Sequence, residues 1–240
     1  MAATPSAVTP ERFASGRTFE QYLAYIGSPE NLKREGSGEA ARRDWSARIR
    51  AWYEASRLSD AQTSAWKWLA SQPGGPAKIL VISEDWSSDC RRDVPILARL
   101  AETANLELRI FNRDGQRFGR SQQPSLAEAP DSNADLMAEF LNAKNGQTWQ
   151  SIPVAVFYTK NLDYLYHYVE YPAIYHKDRV RGHLVAARPG ETPAETRERG
   201  DREFMALQQS PFFRLWAAAA ADEIISALHE RLTVGLPSPH

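Results

Sequence analysis

Cys90 is the only cysteine in a chain of 240 residues, so the chemistry open to it depends on where the chain places it. Upstream, Ile79 to Ile82 is a β-branched and leucine run of the kind that forms a strand buried on both faces. Downstream, Val94, Leu97, Ala98 and Leu100 recur at helical spacing. Ser87, Ser88 and Asp89 fall at the turn between them, where a side-chain oxygen can accept from a helix's first free N–H groups. Cys90 is thereby placed in the helix's first turn, where the partial positive charge of the helix end favours thiolate over thiol. With no second cysteine, any disulfide must be made with another molecule, a protein or peptide thiol or glutathione. The opposite reading is a buried, inert thiol with a pKa at or above about 8.5. Arg91 and Arg92 assist the thiolate only if they turn toward it, and such arginines more often face solvent.

Two other chemistries are weaker. Ser87 as a hydrolase nucleophile lacks the flanking glycines that a nucleophile elbow requires, and helix capping is the simpler role for its hydroxyl. His167, His176 and Asp178 match no metal-ligand spacing, and their tyrosine-rich surroundings suit hydrogen-bonded histidines. No metal site is expected.

Trp86, Ser87 and Cys90 carry a resemblance to the thioredoxin family. The stretch resembles its Trp-Cys-x-x-Cys redox loop, most of all the bacterial branch that reads Glu-Asp-Trp-Cys-Gly-Asp-Cys-Arg. Trp86 stands in the tryptophan place, Cys90 in that of the second cysteine, and Ser87 in that of the first, nucleophilic one. Pro95 matches the helix-kinking proline. Ile152–Pro153, at the head of an apolar strand, matches the family's cis-proline, which faces the redox loop. The resemblance implies an α/β thioredoxin-like fold, a mixed four-stranded sheet flanked by helices. It also implies a site with Cys90 and Ser87 in the catalytic places and Trp86, Ser88, Asp89, Ile152 and Pro153 in contact with substrate. Ile152 and Pro153 would meet an extended peptide by strand addition. Two departures bear on activity: serine cannot open a disulfide, and Val81 occupies the place of the family's buried acid.

The elements that position this site read as follows. Residues 1–10 are an expected disordered tail, without the basic and apolar regions of a signal peptide. Residues 11–75 are an expected helical extension. Phe19, Tyr22, Leu23 and Ile26 form one apolar stripe and Trp45, Ile49, Trp52 and Tyr53 another, and Ser59 with Gln62 marks a capping box. Residues 76–240 hold the thioredoxin-like domain, with strands at 106–111, 153–157 and 164–169. A polar insertion at about 112–132 is expected to be a mobile surface loop. Two added C-terminal helices open at Thr192-Pro193 and Ser210-Pro211.

Composition narrows the function classes. Apolar residues make up 42% and the formal net charge is −1, which gives no overall attraction to nucleic acid or anionic membrane. One cysteine suits a reducing, cytoplasmic setting. Three functions remain open: thiol redox chemistry through Cys90 or thiol binding, a non-catalytic protein- or peptide-binding module, and a dithiol oxidoreductase whose first cysteine was replaced by Ser87. No cofactor is expected beyond glutathione as a mixed-disulfide partner.

Overall fold

The computed structural model describes residues 6–37 and 41–235; residues 1–5 of the expected tail lie outside them. Ser6 and Ala7 hydrogen-bond to the Glu139 carboxylate, so residues 6–9 run along the domain. Five helices precede the sheet: α1 (Pro10–Ala14), α2 (Phe19–Ile26), α3 (Pro29–Leu32), α4 (Ser46–Ala55) and α5 (Asp60–Ser71). Local chemistry starts most of them. Thr9, Thr18, Ser28 and Ser59 each accept an N–H of the following turn through their hydroxyls, and Thr18/Gln21 and Ser59/Gln62 close full capping boxes.

Strand β1 (Lys78–Ser83) runs into α6 (Ser88–Thr103), and β2 (Glu107–Asn112) returns parallel to β1. After the stretch at 113–133 come α7 (Ala134–Ala138) and a small hairpin, β3 (Asn142–Lys144) and β4 (Gln147–Trp149). Then β5 (Val154–Tyr158) and β6 (Tyr164–Val169) complete a mixed sheet in the order β2-β1-β5-β6, with β1/β5 and β5/β6 antiparallel. The chain closes with α8 (Lys177–Val185), α9 (Pro193–Gln209) and α10 (Pro211–Val234). This is the expected four-stranded fold with helices added at both ends; α8 and the β3–β4 hairpin are elements the sequence reading lacked.

Strands β1 and β5 are central in the sheet, and Ile79 to Ile82 and Val154 to Phe157 are wholly buried, as unbroken apolar runs demand. Trp66 of α5 is also fully buried, its ring edge on Phe157 and its indole N–H donating to the Leu100 carbonyl at 2.7 Å. Trp66 is therefore packing, with its polar end satisfied inside the core. Ala220, Ala221, Ile224 and Leu228 of α10 join the same core. Tyr175, Phe213 and Trp216 form a satellite cluster, with the Tyr175 and Trp216 rings stacked at 3.6 Å. No helix among the described residues is long and apolar enough to cross a membrane.

Candidate functional site

The carboxyl end of β1 and the first turn of α6 carry the loop Glu84–Cys90. Ser87 is the helix cap, its hydroxyl accepting the Cys90 N–H at 3.4 Å, which is the structural role open to it from sequence. Cys90 points inward: it is 1% exposed and belongs to the main core cluster. The Glu84 N–H points at its sulfur at 3.5 Å. Burial nevertheless pushes the thiol up to about 12, outweighing the bonds from Ser83, Glu84 and Ser87 that favour the thiolate. The helix end is present, but the water a thiolate needs is not.

Both acids before the tryptophan are occupied. Glu84 takes Arg34 at 2.7 Å and Arg42 at 2.9 Å, and Asp85 takes Arg42 at 2.5 Å. All four side chains are buried. Their pairing clamps the segment that follows α3 onto the loop, with Asp85 Oδ2 left without a partner among the described residues. Val81, in the place where the resembling family keeps a buried acid, is wholly enclosed among apolar neighbours.

Arg91 and Arg92, expected in solvent, are buried instead, because each has a task inside. Arg92 spans Asp89 and Asp93, both at 2.7 Å, and reaches the Glu170 carbonyl; Asp93 in turn accepts the Tyr168 hydroxyl at 2.9 Å. This ties α6 to β6. Arg91 donates to the Asp85 and Trp86 carbonyls and to Gln208, and lies 3.9 Å over the Trp45 ring. No carboxylate among the described residues pairs with it, and burial pulls its guanidinium down to about 10.

Trp86, Ser87, Ser88, Asp89 and Ile152 meet in one cleft of about 700 Å³. Cys90 and Pro153 lie behind its wall, although Ile152–Pro153 is a cis bond, as the resemblance implies. The stretch after β2 forms the opposite wall. Arg113 pairs with Asp114 and donates to the Gln150 and Gly119 carbonyls, and Phe118 packs edge-on against Trp86 at 5.2 Å. Gln150 and Thr148 bond to the Ser121 and Gln122 carbonyls. The segment expected to be a mobile loop is thus laced into the cleft. Lys177 of α8 closes one end through Asp89 at 2.6 Å and through Glu170. Among the described residues nothing hydrogen-bonds to the backbone N–H or carbonyl of Ile152, although its side chain is buried.

Several of these residues were missed from sequence. The β3–β4 hairpin had a signal: Asn145 and Gly146 both take positive φ, and Asn-Gly is the strongest short hairpin signature. Lys177 and Arg113 had none, because their partners lie far along the chain or depend on the loop's final course.

A family sequence model described as Thioredoxin matches residues 37–180, well over half of the chain. No curated protein matches. Among solved structures, a protein of unknown function from Pseudomonas aeruginosa aligns over 90% of this chain and 94% of its own, at 16% identity and a TM-score of 0.48. An HIV epitope scaffold aligns over 93% and 98%, with the same identity and TM-score.

Proposed function

Because the chain belongs to the thioredoxin family and its one thiol is shut inside the core, we propose that it works as a peptide-binding module rather than a dithiol catalyst. The observation that carries this reading is Cys90 itself, 1% exposed with its pKa pushed up to about 12. Such a sulfur is neither accessible to a disulfide nor ionised near neutral pH. The loop and Ile152, next to the cis bond, meanwhile line a cleft that an extended peptide could enter. Trp86 and Ser88 are partly exposed along it, and the Ile152 backbone, unpaired among the described residues, would supply a donor and an acceptor for an added strand. Ser87 serves as a helix cap, a role that a cysteine at this place would fill less well.

The test is alkylation of Cys90 by iodoacetamide in the native protein from pH 6 to 10, beside the same titration in denaturant. The expected result is no native modification below pH 9 and full modification once unfolded. Native alkylation with an apparent pKa below 8 would sink the binding-module reading and restore a single-thiol redox role.

A further inference from the structure

The groove is not electrically neutral. Its lining carries five cationic side chains, Arg91, Arg113, Arg120, Lys177 and Arg181, against two acids, Asp89 and Glu170. Both acids are already used by Lys177, and Asp89 also by Arg92. Arg113 is satisfied by Asp114. Arg91 and Arg181 meet no carboxylate among the described residues, and the exposed Arg120 reaches Glu35 only at 3.8 Å. The whole chain carries a formal charge of −1, so this surplus is a local concentration.

Its arrangement is specific. Arg91 is 4% exposed, its Nε has no partner among the described residues, and its charge sits against the loop that forms the floor of the groove. A buried cation with no direct ion pair is unfavourable even with Asp85 and Asp89 nearby, and a carboxylate brought into the groove adds a favourable charge. Arg120 and Arg181 mark the rim. Between them the exposed Trp149 offers its ring to apolar side chains, while Arg113 lies over the Trp86 and Phe118 rings and Arg120 over Phe118.

We propose that the partner is an acidic peptide, bound extended, with carboxylates facing the arginines and apolar side chains facing the Trp149 ring. In an extended chain successive side chains alternate in direction, so one strand presents both kinds of group. The unpaired N–H and carbonyl of Ile152 match a peptide backbone and favour it over a nucleic acid strand, which has no such ladder. The inference rests on the peptide-binding reading and adds the chemistry of the partner.

The experiment uses the full chain and three acetylated hexapeptides that alternate valine with glutamate, serine or lysine, followed by tryptophan emission. The glutamate peptide is expected to bind at least ten-fold more tightly than the serine peptide at low salt, with the advantage shrinking toward 0.5 M salt. In the Arg120→Glu/Arg181→Glu double variant, both positions being exposed, the preference should move to the lysine peptide. Equal binding of the glutamate and serine peptides overturns the acidic partner and leaves the peptide groove standing. Binding of none of the three overturns both. An oligothymidylate hexamer that binds more tightly than the glutamate peptide also overturns the proposal, in favour of a nucleic acid ligand.

Discussion

At Cys90 two influences oppose each other within one side chain: the first turn of α6 attracts negative charge to the sulfur, while removal from water repels it. Burial is the larger, since the thiol rises to about 12. A group held at a raised pKa binds its proton more tightly in the folded state. Its effect on stability is therefore flat below the unfolded thiol's pKa, about 8.5, and becomes unfavourable as pH climbs toward 12. Between about pH 9 and pH 11 the protein should lose about 1.4 kcal/mol per pH unit relative to its Cys90→Ala variant. Taking the difference against this variant removes the lysines and tyrosines that titrate in the same range. Urea unfolding of both proteins at several pH values measures it, and a difference independent of pH would refute the burial argument.

At the scale of elements, the loop is held less by its own sequence than by what is clamped to it. Arg42 reaches Glu84 and Asp85 from beyond α3, and one Asp85 carboxylate oxygen already has no partner among the described residues. Removing one member of a buried pair strands the other, at about 3–5 kcal/mol, so Arg42→Met should destabilise by that amount. Arg50→Met, which breaks the pair of the partly exposed Arg50 with Glu20, should cost under about 1 kcal/mol. Chemical denaturation of both variants makes the comparison, and similar losses would show the clamp to be dispensable. The same contrast explains what the sequence disclosed. The capping boxes at Ser59/Gln62 and Thr192/Glu195, the buried runs of β1 and β5 and the α6 turn depend on residues a few places apart, and were legible. The Arg42–Glu84 and Lys177–Asp89 pairs join positions 42 and 88 residues apart, and Arg91 and Arg92 reach Gln208 and the Glu170 carbonyl across 117 and 78 residues, so both arginines read as solvated. The wall at 113–132 read as a loop because its polar side chains gave no hint that Gln150 and Thr148 would take up its carbonyls.

Across the whole molecule, a boundary near residue 75 separates a helical segment from the sheet-bearing segment in sequence, yet the core runs through it. One cluster of buried side chains extends from Phe13 through Trp66 and β1 to Leu228. Trp66 donates directly into α6, and Gln62 of α5 bonds to Asp222 of α10 at 2.7 Å. Neither the opening helices nor α10 can leave without exposing apolar surface, at about 25 cal/mol per Å². They should therefore unfold with the sheet and not before it. In guanidinium chloride, far-ultraviolet circular dichroism, which reports mainly helix, and tryptophan emission should trace one coincident transition. Truncating Leu228 to alanine should shift that whole transition to lower denaturant, by about 2–5 kcal/mol. An early helical phase that leaves the emission unchanged would show the terminal helices to be appendages. A coincident shift of both probes would place α5, α6 and α10 in one cooperative unit around the groove.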